Sequence, residues 1–89
     1  MPFDGTDNPR VAMLERARAI LHKRGWSPKI MYHPDGRLCL VAAIREASGR
    51  NWDYSLGQTS FDTAAFNDAP GRTLADIDAW IDERIAEAL

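Results

Sequence analysis

Cys39 follows His33 by six residues, with Asp35 between them. A thiol, an imidazole and a carboxylate at that spacing suggest nucleophilic catalysis, the histidine withdrawing the thiol proton while the carboxylate orients the ring. A Pro34-Asp35-Gly36 turn would bring the two sides together. Against this, Cys39 stands between Leu38 and Leu40, where a buried small hydrophobe is commonplace. No oxyanion-hole motif and no second anchoring segment accompany it. The expectation is a packing cysteine and a protein that is not an enzyme.

A second constellation is Phe66-Asn67-Asp68-Ala69-Pro70-Gly71-Arg72-Thr73, which sets an amide, a carboxylate and a guanidinium around a Pro-Gly turn. Such a loop could grip a carboxylate, a phosphate or a peptide end. The simpler reading is structural. Asn67 and Asp68 fold back on nearby backbone, Pro70-Gly71 supplies the turn, and Arg72 pairs with Asp68 or with the carbonyl end of a neighbouring helix. Asn67, Asp68 and Arg72 are therefore expected to form an internal clamp.

The tryptophans supply the case for an interface. Trp80 falls about 60° from Ile77 on a helical wheel, at the margin of an apolar stripe. Arg84 stands one turn on, with Glu83 and Glu87 nearby. Tryptophan beside a polar face is a common interface anchor, so Trp80, Glu83, Arg84 and Glu87 are the candidate partner-binding residues. That placement requires Trp80 to be partly exposed. Trp26 and Trp52 are expected in the core.

Other chemistries find little support. Arg16, Arg18, Lys23, Arg24 and Lys29, with Trp26 or Tyr32 for stacking, outline a nucleic-acid face. A pI near 5.6 and Glu15 within the patch weigh against it. His22 and His33 lie on different elements without ligand spacing, and the glycines are dispersed, so no metal or cofactor is expected.

The elements that must position these residues read as helices. Asn8-Pro9 is an N-cap followed by proline at the first helical position. From there a helix runs to about Arg24 and stops at Gly25, with Met13, Leu14, Ala17, Ile20 and Leu21 on one face. Ile30–His33 and Arg37–Val41 flank the Pro34-Asp35-Gly36 turn and suggest a short β-hairpin. The second run passes into a helix ending at Ser48-Gly49. Arg50 to Thr59 reads as a polar loop carrying Trp52 and Tyr54. Ser60 to Phe66 forms a short helix capped by Ser60, and Thr73, with Asp76 as its capping-box partner, starts the last helix. Leu74, Ile77, Ile81, Ile85 and Ala88 make that helix's apolar stripe. The fold class is mostly α: about four helices with one short β-hairpin, α+β being the alternative. Residues 1–8 are a flexible lead-in and 9–89 a single globular helical domain.

Composition agrees. The chain has 89 residues, 45% hydrophobic and 27% charged, as in an ordinary globular domain with a thin core. One cysteine excludes an internal disulfide. No apolar run reaches the roughly 20 residues of a membrane span, and the acidic N-terminus lacks a signal peptide's pattern, so a cytoplasmic location is expected. Charge is lopsided: residues 1–50 hold nine Lys/Arg against five Asp/Glu, residues 51–89 two against eight. The two halves either attract one another within one domain, the preferred reading, or support head-to-tail association.

Three segments carry a resemblance: Arg24-Gly25-Trp26 at the end of the first helix, Gly36-Arg37-Leu38-Cys39-Leu40-Val41-Ala42-Ala43-Ile44, and Phe66 through Thr73. With them the chain resembles, over about residues 11 to 85, a family of small actinobacterial and bacteriophage proteins known only as a domain of unknown function. Phe66 stands where that family commonly has Trp before Asn-Asp. The resemblance implies a compact, mostly helical cytoplasmic protein from phage or accessory-gene settings, and it lends no activity. The function expected is protein–protein binding by occupying a partner's surface, as a monomer or homodimer, with nucleic-acid binding through the first helix as the alternative.

Overall fold

The computed structural model describes residues 8–49 and 60–89. Among these lie four helices: α1 (Pro9–Arg24), α2 (Leu40–Ala47), α3 (Ser60–Asp68) and α4 (Leu74–Ala88). Of the lead-in expected at residues 1–8 only Asn8 is described, as the cap of α1, and the loop with Trp52 and Tyr54 lies outside the described residues.

α1 starts where its cap dictates. Asn8 Oδ1 accepts from the N–H groups of Arg10 and Val11 at 3.1 and 3.2 Å, satisfying two donors that the first turn leaves unpaired. The other half of the same amide donates to the Ala88 carbonyl at 2.7 Å, tying the start of α1 to the end of α4. At the far end Gly25 adopts φ 94° and ends the helix. α4 begins with the expected capping box: Asp76 N–H donates to Thr73 Oγ1, and Thr73 N–H donates to Asp76 Oδ2.

α2 is the centre of the packing. Leu40, Val41, Ala42, Ala43, Ile44 and Ala47 are all buried, leaving Arg45 and Glu46 exposed in the last turn. A short helix apolar around most of its girth belongs in a core. α1 and α3 both pack on it, and α4 packs on α1. Leu14, Leu21, Leu38, Leu40, Ile44, Ile77 and Ile81 are completely buried. Side chains of that size stabilise by about 1.5–3 kcal/mol each when fully removed from water.

The expected β-hairpin does not form: among the described residues there is no sheet, only two isolated bridges. The turn itself is present, with Gly36 N–H donating to the His33 carbonyl and His33 N–H to the Arg37 carbonyl. Across it Leu38 bridges Tyr32, with Cys39 N–H donating to the Met31 carbonyl, and there the ladder stops. The Leu38 N–H and carbonyl face the other way, to Gly25 and Ser27, in a parallel bridge to the segment after α1. Cys39 then caps α2, so Leu40 and Val41 join a helix and not a strand. α3 also runs two residues beyond expectation, to Asp68, so Asn67 and Asp68 sit in its last turn. Whether Ser60 caps it lies outside the described side chains.

Gly25 is required twice. Its φ is positive, and a Cβ there would stand 2.8 Å from Arg37 Cγ, a stem already held by the Asp35 carboxylate. Gly25→Ala should therefore destabilise the fold by about 1–3 kcal/mol. Urea denaturation with an unchanged slope and a lower midpoint is the expected reading; an unchanged midpoint would mean the backbone relaxes freely.

Candidate functional site

Asn67 is completely buried at the end of α3, and its amide is fully used. Oδ1 accepts from Trp26 Nε1 at 2.6 Å and from Leu40 N–H at 3.0 Å. Nδ2 donates to Asp68 Oδ1 at 2.9 Å and to the Ser27 carbonyl at 3.4 Å. One side chain thus joins α3 to the start of α2 and to the segment after α1. Asp68 Oδ1 also accepts from Lys29 N–H at 2.6 Å. That contact pins Lys29 at φ 68°, a conformation a lysine rarely takes unaided.

Arg72 closes the carbonyl end of a neighbouring helix, the second of the two pairings expected for it. Its described contacts go to Phe66, not to Asp68: Nε donates to the Phe66 carbonyl at 2.7 Å, closing the end of α3. Its guanidinium lies 3.8 Å from the centre of the Phe66 ring. The motif Phe66–Thr73 is an internal clamp as the sequence suggested, with Asn67 deeper than a turn residue.

On the outer side of Phe66 lies a cleft of about 440 Å³ between α3 and α4, lined by Asp62, Phe66, Trp80, Glu83 and Arg84. Phe66 and Trp80 form its aromatic floor, their rings 6.3 Å apart and tilted by 37°. The Arg84 guanidinium lies 5.1 Å from the Trp80 ring centre. Its Nη2 donates to Glu83 Oε1 and Glu87 Oε2, both at 3.1 Å. Arg84 is only 8% exposed, and its Nε has no hydrogen-bond partner.

Three of the four expected partner-binding residues, Trp80, Glu83 and Arg84, therefore line one cleft, with Glu87 held to it through Arg84. One expectation fails. Trp80 is 4% exposed and sits under Arg84 against Phe66, so it is not a protruding anchor. At the margin of its stripe it is covered by α3, which a helical wheel of α4 alone does not contain. Sequence reasoning also missed Asp62 and Phe66 as wall residues. Their spacing of four within α3 places them on one face and was the available signal.

The remaining constellations are engaged elsewhere. Cys39 is buried and its Sγ accepts from Ala42 N–H at 3.4 Å as the α2 cap. Burial pushes its thiol pKa up, the opposite of what a thiolate nucleophile needs. The His33 ring instead meets Asp35 at 2.9 Å and Arg37 at 3.2 Å. Arg37's backbone N–H, followed by its guanidinium, holds the Asp35 carboxyl below its usual range. Much of the basic face of α1 is spent inside the molecule. Arg16 caps the Ala47 carbonyl, Arg18 pairs with Asp78 and Asp82, His22 meets Asp78 at 2.9 Å, and Arg24 pairs with Glu46 at 3.0 Å. Among the described residues no group of three or more His, Cys, Asp or Glu is placed to hold a metal ion. None of their helices is long and apolar enough to cross a membrane.

A family model matches residues 5–63, and the chain belongs to that family, a family of unknown function (DUF6197). The match covers α1, α2 and the start of α3; the Asn67 clamp, α4 and most of the cleft lie beyond it. No curated protein and no solved structure matches the chain.

Two outcomes follow from this geometry. Asn67→Ala would leave Trp26 Nε1 and Leu40 N–H without an acceptor, each orphan costing about 1–3 kcal/mol. Arg72→Ala should cost ~1 kcal/mol and lower Tm by several degrees. Calorimetry should find the first substitution much the more damaging; equal effects would contradict the central place of the amide. Cys39 should react with an alkylating reagent only under denaturing conditions, as mass spectrometry of native and unfolded samples would show. Rapid labelling of the native protein would contradict its packing role.

Proposed function

We propose that this protein is a non-enzymatic binding module that acts by occupying the surface of a partner protein, and that the α3–α4 cleft receives a basic segment of that partner. The observation that carries the reading is the cleft itself, an aromatic floor bordered by carboxylates. Asp62 and Glu83 line it, and Arg84 bonds Glu83 and Glu87. The imbalance extends beyond the cleft, since residues 60–89 hold seven Asp/Glu and two Lys/Arg. Arg72, the other cation, lies on Phe66. An acidic surface of this kind steers basic partners and rejects acidic ones before any close contact is made. Trp80 contributes as floor and not as a projecting side chain.

The mode of action would be steric or competitive, in keeping with a phage or accessory-gene protein working in the cytoplasm. Nucleic-acid binding through α1 is the weaker reading, because Arg16, Arg18 and Arg24 already have partners within the chain.

Titration with a short arginine- and glycine-containing peptide tests the docking reading. Asp62→Asn combined with Glu83→Gln should weaken binding about tenfold at low salt, roughly 1.4 kcal/mol. A glutamate-containing peptide of equal length should not bind. Unchanged affinity in the double variant would remove the cleft as the binding surface.

A further inference from the structure

Arg84 occupies the cleft in an unusual way. Its guanidinium covers the indole face of Trp80 and bridges two carboxylates, and the side chain is nine-tenths buried. The environment therefore shows what it accommodates: a planar cation between an aromatic face and acidic groups. Yet Arg84 fills it imperfectly. Its Nε is buried without a hydrogen-bond partner. Such an orphan donor costs free energy that a fully matched occupant would not incur.

The bonds holding Arg84 in place are also weak ones. The side chains of Glu83 and Glu87 are 69% and 59% exposed, so solvent screens both ion pairs. Glu87 follows Arg84 by three residues, and a cation N-terminal to its carboxylate is the less favourable order on a helix. A guanidinium that is poorly satisfied and weakly tethered is easily displaced. Its departure would expose the Trp80 face and release two carboxylates at the same moment.

We infer that Arg84 is a placeholder: it occupies the seat that an arginine or lysine side chain of a partner protein takes, and it swings outward when that side chain enters. The inference rests on the docking reading above and adds regulation to it. The incoming cation replaces Arg84 on Trp80 and takes Glu83 and Glu87 as partners. Bound Arg84 then serves as a built-in competitor that keeps affinity low for weakly basic segments. Charge complementarity decides the kind of occupant, since the described residues that line the cleft besides Arg84 are carboxylates and aromatic rings.

The experiment compares three proteins against the same arginine–glycine peptide by fluorescence anisotropy. Arg84→Ala vacates the seat, and Arg45→Ala, at an exposed cation on α2 that does not line the cleft, changes net charge equally. Arg84→Ala should bind about tenfold more tightly than the unaltered protein, and Arg45→Ala should match the unaltered protein. Because alanine also removes packing over Trp80, Arg84→Gln is measured alongside, with circular dichroism checking that both fold; it should also bind more tightly. If Arg84→Ala and Arg84→Gln bind no more tightly than the unaltered protein while that protein binds, the placeholder is overturned and docking survives. Equal tightening by Arg45→Ala overturns it too, since net charge alone would then explain the gain. No binding by any of the proteins overturns both readings.

Discussion

A helix buried at its start cannot leave its first N–H groups to water, and this constraint organises the protein. α2 opens in the core, with Leu40, Val41, Ala42 and Ala43 all buried. Asn67 takes the Leu40 N–H and Cys39 Sγ takes the Ala42 N–H. At the other end Arg16 donates twice to the Ala47 carbonyl. The caps come from α3, from the preceding segment and from α1, so satisfying α2 fixes the relative positions of its neighbours. The same Asn67 oxygen holds the Trp26 indole, which closes the core beside Leu38.

Electrostatics follows a similar economy. The basic first half and the acidic second half meet along α1 and α4, through Arg18 with Asp78 and Asp82 and through His22 with Asp78. These pairs are partly exposed, so their value lies more in setting how α1 faces α4 than in net stability. On the α1 side of α4 the carboxylates of Asp78 and Asp82 meet Arg18 and His22, while on the other side Glu83 and Glu87 both bond Arg84.

On that side the side chains form a continuous stack. Arg72 lies on Phe66, Phe66 tilts against Trp80, and Arg84 covers Trp80. Each contact is modest, about 0.5–2 kcal/mol in such settings. Together they link the clamp at the end of α3 to the cleft between α3 and α4. The internal clamp and the candidate surface are thus two sides of one arrangement, with Phe66 common to both.

Features that depend on a few consecutive residues were legible in the sequence. Asn8-Pro9, Gly25 and the Thr73–Asp76 capping box marked helix ends, because caps act over one turn of chain. The clustering of Trp80, Glu83 and Arg84 was legible as well, since helical spacing alone makes them neighbours. What lay opposite them was not. Trp80 is covered because Phe66 arrives from α3, and Asn67 is buried because Trp26 and Leu40 converge on it from distant chain positions. The hairpin stops at the Tyr32–Leu38 bridge because the next residues, from Leu40 on, join a helix whose place is set by the core. Local chemistry determined where α1 begins and ends and where α4 begins; only tertiary packing decided which polar groups are enclosed, because an acceptor brought from elsewhere in the chain changes what burial costs.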